Sequence, residues 1–232
     1  MDHLVNKDII MIKKHYEFSL WLRLTHWVRV LAIIILTFTG FYIAVPFISA
    51  GLNQGEPTNY LNALMRSWHT IFGFVLICLT LGKFYLFIFD KQSKGERASF
   101  WDFINPIVWF KQIEYYLLIG KHAHLKGVYN PLQFMAYTGV YGALIVICIT
   151  GLILDIHVYH EGLAALLYDV LRPLEAMLGG LAMVREIHHI CMWVFIIFLP
   201  IHIYLVIFNS VYGKSGAMDS IVSGYKWEED NK

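Results

Sequence analysis

Four histidines have the residue type and the spacing of metal ligands inside a membrane. His26 and His69 open two apolar runs, and His188 and His202 share a third. The last two are 14 residues apart. At ~100° per residue, they differ by about 40° around a helix and by roughly 21 Å along it. One helix face would therefore carry two imidazoles, one towards each membrane surface, as a membrane protein with two stacked haems requires.

The composition indicates that the helices carrying these histidines are surrounded by lipid rather than by water. The chain is 58% hydrophobic and 15% charged, with a mean hydropathy of +0.56. Several runs approach the ~20 apolar residues that cross a bilayer as a helix. We predict an all-α integral membrane protein, a single four-transmembrane-helix bundle over 1–232 with spans at about 27–47, 71–89, 132–154 and 190–208. A soluble domain is excluded, and we expect contact with a lipid bilayer and none with nucleic acid.

The distribution of cations predicts the orientation in the membrane. Cytoplasmic loops retain Lys and Arg. These residues are frequent before the first span and in the second loop, whereas the other two loops carry only Arg66, Arg172 and Arg185. We therefore predict that both termini lie in the cytoplasm (N-in/C-in) and that the protein resides in the bacterial inner membrane. No removable signal peptide is recognisable, so we expect the first span to direct its own insertion.

Two further segments are apolar without being spans. Residues 100–119 alternate aromatic and charged side chains between basic stretches, which predicts an amphipathic helix on the cytoplasmic surface. A fifth span is the alternative, but it would break the charge asymmetry. Residues 161–184 predict an external amphipathic segment of the same kind.

Three cysteines limit the chemistry of any bound haem. Cys78, Cys148 and Cys191 fall inside predicted spans, and the chain has no Cys-x-x-Cys-His sequence. This placement argues against disulfides and against covalently attached haem. Any haem held here would be of the b type.

Arginines support three of the four histidines as ligands. A lone histidine near a helix end is more often an interfacial residue than a ligand. However, an arginine precedes three of them by three residues, and so shares their helix face. The arginines are Arg23, Arg66 and Arg185. Each could neutralise haem propionates at the membrane surface, or could extend to water as an ordinary cation.

The depth of each histidine predicts how the ligands pair. His26 and His202 lie near the cytoplasmic ends of their spans, and His69 and His188 near the outer ends. We pair them accordingly, which gives two six-coordinate haems suited to electron transfer rather than to catalysis at iron. His189 is excluded because its spacing rotates it about 140° away from His202.

Small and basic residues near these histidines complete the predicted haem environment. Gly40 and Gly73 lie on the histidine-bearing faces, where a flat macrocycle needs room, although close helix packing is an equally good explanation. Lys83 follows His69 by 14 residues on the same face. Its ammonium could reach the propionates of the inner haem or extend to the interface.

These residues resemble the cytochrome b subunit of membrane-bound quinone-reactive nickel-iron hydrogenases, which is related to the gamma subunit of formate dehydrogenase. The resemblance covers nearly the whole chain, including Leu-Arg-Leu-Thr-His26-Trp, Arg66-Ser-Trp-His69 and Arg-Glu-Ile-His188-His. It implies two haems b, an iron–sulfur small subunit and a catalytic large subunit as partners, and reduction of menaquinone or ubiquinone near the inner face. Some relatives lack one haem.

The stretch from the second loop into the third span is the candidate quinone site. It presents His124, Asn130 and Gln133 at an apolar boundary on the inner side, where a quinone would need hydrogen-bond donors and protons. With Lys126, it is similar to the Lys-x-x-x-Asn-x-x-Gln stretch near the quinone in formate dehydrogenase gamma subunits. The alternative is an ordinary loop in which Asn130 caps a helix that begins with Pro131.

The sequence therefore predicts an electron-transfer and quinone-reducing subunit of an oxidoreductase complex, transferring electrons from a periplasmic nickel-iron hydrogenase to a quinone. Three alternatives remain: a stand-alone b561-type cytochrome, a gamma subunit of a formate dehydrogenase-like enzyme, and a metal transporter with histidine relay ligands. The near absence of Asp and Glu in the spans disfavours the transporter.

Overall fold

Four long apolar helices make up most of the protein. The computed structural model describes residues 12–48, 60–91, 93–120, 123–158, 161–211 and 216–229. In chain order, the elements are β1 (Ile12–Tyr16), α1 (Leu20–Ala44), α2 (Tyr60–Phe89), α3 (Lys94–Ile104), α4 (Pro106–Tyr116), α5 (Pro131–Ile156), α6 (Leu163–Met177), α7 (Leu181–Val211), α8 (Ala217–Ser223) and β2 (Tyr225–Glu229). Within the described residues, α1, α2, α5 and α7 are long and apolar enough to cross a bilayer. The predicted all-α membrane fold with four spans is confirmed.

The spanning helices are longer than the apolar runs that predicted them. The prediction for α2 began at residue 71, whereas the helix begins at Tyr60. Similarly, α7 begins at Leu181 rather than at residue 190. Backbone hydrogen bonds continue through polar residues near the interface, so hydropathy marks the part of a helix that lies in lipid rather than its ends.

The predicted single helix over 100–119 is wrong: two helices, α3 and α4, occupy this region. Pro106 lacks a backbone N–H and disfavours a helical conformation at the residue before it. Asn105 accordingly adopts an extended conformation and caps α4, its side chain accepting a hydrogen bond from the backbone N–H of Ile107 at 3.1 Å. The break turns two short amphipathic helices against each other and against α5.

The predicted external segment 161–184 is helical only in part. Helix α6 ends at Met177, and Gly179 and Gly180 then adopt positive φ angles of 95° and 86°. Only glycine enters this region without strain, so the pair forms the turn from which α7 starts. A buried cluster of Ile153, Ile156, Leu171 and Val184 packs α6 against α5 and α7.

The chain divides into two compact units. The terminal unit comprises Met1–Leu31 and Ile196–Lys232, and the central unit comprises Ala32–Phe195. In the central unit, all four spanning helices contribute to one apolar cluster, whose members include Leu36, Leu76, Leu144 and Phe195. This cluster is the helix–helix core of the bundle.

A short antiparallel ribbon, which the sequence did not predict, lies in the terminal unit. Strands β1 and β2 pair with Lys14 opposite Trp227 and Tyr16 opposite Tyr225. The ammonium of Lys14 lies 3.9 Å from the centre of the Tyr225 ring, a cation–π contact. The two ends of the described chain therefore lie together, in agreement with four crossings, which leave both ends on one side of a membrane.

Candidate metal-binding histidine pairs

His69 and His188 face each other in the central unit. His69 is in the third turn of α2 and His188 is near the start of α7. Their ring centres are 6.3 Å apart and the ring planes are inclined by 60°. Both side chains are half-buried. His188, and not its neighbour His189, is the residue that meets His69, as the helical spacing predicted.

His26 and His202 form a second pair, in the terminal unit. Their ring centres are 6.5 Å apart and the planes are inclined by 44°. Aromatic side chains flank both rings: Trp27 meets His26 edge-on with centres 5.4 Å apart, and Phe198 stacks on His202 at 5.2 Å. The structure thus brings together both histidine pairs that the sequence predicted.

The separation within each pair fits one metal ion held between two imidazoles. Because an imidazole nitrogen binds a metal ion at about 2.0 Å and lies about 1.2 Å from its ring centre, two rings on opposite sides of one ion have centres roughly 6.4 Å apart. The observed separations are 6.3 and 6.5 Å. Two rings in direct hydrogen-bonding contact would lie closer. The donor set, two neutral imidazoles in an apolar bundle, is also one that holds a six-coordinate haem.

Two threonines that the sequence analysis missed hold the rings of the central pair. Thr39 Oγ1 lies 2.9 Å from His69 Nδ1, and Thr150 Oγ1 lies 2.9 Å from His188 Nδ1. Both threonines are nearly inaccessible to solvent. The available signal was the repeated dipeptide Thr-Gly, which ends in Gly40 in α1 and in Gly151 in α5.

Glycines lie directly beside the same two rings. A Cβ atom at Gly40 would approach His69 Cε1 to 3.3 Å, and one at Gly151 would approach His188 Cε1 to 3.4 Å. Gly40 was predicted to be near a haem, and Gly151 was missed. For Gly73, a Cβ would meet no atom within 4 Å among the described residues. Close helix packing, the alternative offered for Gly73, is therefore not what the structure shows.

In the terminal pair, no described residue plays this part for His26. Its Nδ1 atom is buried and has no hydrogen-bond partner within the described ranges. Buried polar atoms are nearly always hydrogen-bonded, so this exception calls for an explanation. Arg29 lies three residues further along α1, on the same face of the helix.

The predicted arginines occupy different environments. The guanidinium of Arg23 donates to the carbonyl oxygen of Val222 in α8 and lies against Gly224, so it connects α1 to the segment that precedes β2. Arg66 and Arg185 are exposed at the starts of their helices, each within one turn of its histidine. A role for the three in binding propionates stays a prediction.

Lys83 forms an ion pair with a carboxylate that the sequence analysis did not assign to it. Its ammonium donates to both oxygens of Glu96 in α3, at 2.8 and 2.9 Å, and both side chains are largely buried. The Tyr129 hydroxyl donates to the same carboxylate at 3.3 Å. Burial, with a smaller contribution from the negative charge of Glu96, raises the pKa of Tyr129 well above its ordinary value of 10.0.

The candidate quinone residues lie in the segment before α5 and in its first turn, and their side chains differ in exposure. Asn130 is buried and Gln133 is half-buried, and they form a capping box: Gln133 N–H donates to Asn130 Oδ1 at 2.9 Å, and Asn130 N–H donates to Gln133 Oε1 at 3.2 Å. Asn130 Nδ2 also donates to the Tyr116 hydroxyl at 3.0 Å. His124 is exposed. The alternative offered for Asn130, helix capping, is therefore present in the structure.

Comparison with known proteins places the chain among membrane cytochromes. A family model described as prokaryotic cytochrome b561 matches residues 17–224. Three relatives are named probable Ni/Fe-hydrogenase B-type cytochrome subunits. The protein of Azotobacter vinelandii is 27% identical over 94% of this chain and 90% of its own length, and that of Azotobacter chroococcum mcd 1 is 29% identical over the same shares. The relative from Escherichia coli strain K12, named for Ni/Fe-hydrogenase 1, is 25% identical over 93% of this chain and 92% of its own. These matches confirm the resemblance predicted from the sequence.

Proposed function

The chain belongs to the prokaryotic cytochrome b561 family and is a multi-pass membrane cytochrome of the b type, and from this premise we propose that it is the di-haem anchor subunit of a nickel-iron hydrogenase. In this proposal, it transfers electrons from the periplasmic enzyme to menaquinone or ubiquinone near the cytoplasmic side of the bacterial inner membrane. The names of its relatives support the choice of partner.

The observation that carries the proposal is the pair of facing imidazoles in each unit. His69 and His188 would hold one haem, and His26 and His202 the other, since the separation within each pair leaves room for one metal ion between the two rings. When bound, each haem supplies an iron centre that takes up and releases one electron. Because two imidazoles of the chain would hold each iron, oxygen and substrate would find no free ligand position there, which suits electron transfer.

The two pairs would serve the two faces of the membrane. His69 and His188 lie towards the ends of α2 and α7 that follow the cation-poor segments, which we assign to the outer face. The partner subunits, an iron–sulfur small subunit and a catalytic large subunit, would dock on that side. His26 and His202 would lie near the cytoplasmic side, where the quinone is reduced.

The quinone site is proposed at the turn that precedes α5. Asn130 and Gln133 fix this turn through their capping box, so their part is to position the backbone. The exposed imidazole of His124 is then the group placed to donate a proton to a quinone carbonyl. Replacing His124 by Gln should suppress quinone reduction and leave the haem spectra unchanged.

Haem quantitation tests the proposal. A dithionite-reduced minus oxidised spectrum with pyridine-haemochrome analysis should give two haems b per chain, and His69→Ala and His202→Ala should each lose one. One haem in the unaltered chain would remove one histidine pair from the proposal. Co-purification with a hydrogenase tests the partner, and isolation of the chain as a stable, haem-loaded protein without any dehydrogenase would favour a stand-alone cytochrome.

A further inference from the structure

We propose that Thr39 and Thr150 are positioning residues that fix which nitrogen of His69 and His188 binds metal, and that Gly40 and Gly151 allow them to do so. The inference rests on the proposed function in one respect: it takes His69 and His188 as haem ligands. It adds a role for four residues outside the ligand set, two in α1 and two in α5.

The direction of each hydrogen bond follows from counting protons. A threonine hydroxyl has a single hydrogen. Thr39 Oγ1 donates it to the carbonyl of Ile35 at 2.8 Å, and Thr150 Oγ1 donates to that of Val146 at 2.8 Å. Each hydroxyl can then only accept from the imidazole that lies 2.9 Å away. The proton of the neutral ring is therefore on Nδ1, and Nε2 keeps its lone pair.

A backbone carbonyl lies beside each hydroxyl. Thr39 Oγ1 is 3.3 Å from the Leu36 carbonyl oxygen, and Thr150 Oγ1 is 3.1 Å from the Ile147 carbonyl oxygen. Each carbonyl belongs to the residue three positions before the threonine. Because a carbonyl can only accept a hydrogen bond, it adds a second acceptor next to the hydroxyl on the surface of each neighbouring helix.

The glycines account for the close approach of ring and helix. The Cε1 atoms of His69 and His188 would lie 3.3 and 3.4 Å from a Cβ at Gly40 and Gly151. Cε1 lies between the two nitrogens of the imidazole ring, so a side chain here would push the ring away from the hydroxyl. Each Thr-Gly dipeptide therefore supplies an acceptor and a clearance for one ring.

The alternative is that the hydroxyls of these threonines only form hydrogen bonds with carbonyls of their own helices and have no role at the imidazoles. Threonine often donates to the carbonyl four residues earlier in apolar helices. Thr80 in α2 does so at 2.7 Å, and its nearby partner is the Cys148 thiol rather than an imidazole. Thr80 therefore provides a matched control: the same residue type and the same internal hydrogen bond in a spanning helix, but with no imidazole as its partner.

The chemistry predicts the sign of the effect. An acceptor on Nδ1–H increases the electron donation of Nε2 and so stabilises the more positive, oxidised iron. In Thr39→Val and Thr150→Val, we expect one midpoint potential to move in the positive direction and the other to stay in place. Haem retention should weaken, by up to about 10-fold, since changes to such supporting groups cost 10- to 100-fold and the carbonyl acceptor remains.

The experiment is a redox titration with low-temperature EPR on the intact, haem-loaded protein, comparing Thr39→Val, Thr39→Ser, Thr150→Val and Thr80→Val. We expect Thr39→Ser to restore the potential and the low-spin signal, and Thr80→Val to resemble the unaltered protein. Unchanged potential and EPR signal in both Thr39→Val and Thr150→Val would overturn the inference, as would equal shifts in Thr80→Val.

Failure of this inference and failure of the proposed function give different results. If His69→Ala loses a haem while the valine variants change nothing, the ligand assignment stands and the positioning role falls. If His69→Ala keeps both haems, the ligand assignment itself is wrong. Where a valine variant does not assemble, the alanine variant at the same position, which also lacks the hydroxyl, takes its place, and the serine variant stays the control that keeps the hydroxyl.

Discussion

The two histidine pairs have nearly the same separation but different neighbours. In the central unit, a hydroxyl accepts from each ring and a glycine lies beside it. In the terminal unit, aromatic rings flank His26 and His202, and the buried Nδ1 of His26 has no partner in the described part of the chain. A hydrogen bond fixes the rotational orientation of an imidazole ring, whereas aromatic packing mainly fixes the position of the ring.

The difference in hydrogen bonding between the two pairs is large enough in free energy to affect how firmly the rings are held. A buried polar atom without a partner costs about 1–3 kcal/mol, while a made hydrogen bond contributes about 1 kcal/mol. An aromatic contact contributes a similar ~1 kcal/mol but tolerates rotation of the imidazole about its bond to Cβ. We therefore expect the central pair to be the more rigid of the two before any haem binds.

The largest effect should come from combining ligand substitutions within and between pairs. His69→Ala/His188→Ala should keep one haem per chain, as either single variant does, because both residues serve the same haem. His69→Ala/His202→Ala should keep none. Pyridine-haemochrome analysis distinguishes these outcomes, and a same-pair double variant without haem would mean that the two pairs do not bind independently.

A second prediction concerns Lys83, which was predicted from the sequence to serve a haem and is paired with Glu96. Lys83→Met should lower the free energy of unfolding by about 3 kcal/mol because it leaves a largely buried carboxylate without its cation, with the Tyr129 hydroxyl as the remaining donor. We expect both haem potentials to stay unchanged. Thermal unfolding and redox titration test this, with the exposed Lys91→Met as control. A shifted potential would return Lys83 to the haem environment.

The glycines allow a graded test of the central pair. Gly40→Ala introduces a Cβ at 3.3 Å from the His69 ring, and Gly151→Ala one at 3.4 Å from His188, whereas Gly73→Ala meets open space. Overpacking costs of the order of 1 kcal/mol. We expect the low-spin EPR signal to change most in Gly40→Ala, less in Gly151→Ala and least in Gly73→Ala. The reverse order would exclude steric clearance as their role.

The smallest effect should appear on acidification, through the contacts of α6. Glu175 accepts from His157 Nε2 at 2.7 Å and from Arg172 at 2.9 Å, which ties α6 to the end of the helix that carries Thr150. The hydrogen bond with His157, together with Arg172, lowers the pKa of Glu175 below its ordinary 4.5. Its stabilisation is therefore present above that value and is lost as the pH falls through the lowered pKa.

Thermal unfolding at about pH 6 and about pH 3.5 checks this expectation. The melting temperature of the unaltered protein should fall by roughly 2 °C more than that of Glu175→Gln. The exposed Glu161→Gln should behave like the unaltered protein. Equal falls in all three would show that this carboxylate does not contribute to the acid sensitivity.

The sequence was sufficient to predict the features that follow from the length, periodicity and membrane depth of individual helices. Apolar length predicted four spans, and the spacing of His188 and His202 predicted one face with two imidazoles. The pairing with His26 and His69 followed from depth alone, because parallel or antiparallel spans bring residues of equal depth to the same level. All of these are consequences of helical periodicity in a layer of fixed thickness.

Other features depended on contacts between distant segments and could not be predicted. In the sequence, Thr39 and Thr150 are ordinary helix residues, and only the packing of α2 and α7 places an imidazole beside each of them. In the sequence, Glu96 is one of many charged residues, and only the fold shows that it forms an ion pair with Lys83. The break at Asn105 and Pro106, by contrast, could have been predicted from the local sequence, because a proline disfavours a helical conformation at the residue before it.

The ribbon of β1 and β2 has a consequence for the order of biosynthesis. Its strands are separated by almost the whole length of the described chain, so β1 is synthesised first and waits for its partner until the last helix has left the ribosome. The entropy of closing a loop grows only slowly with its length, so pairing becomes easy once the spans have gathered both ends on one side. Until then, β1 presents an unpaired edge. The ribbon is thus a late event, and its formation marks a chain whose final span is already in the membrane.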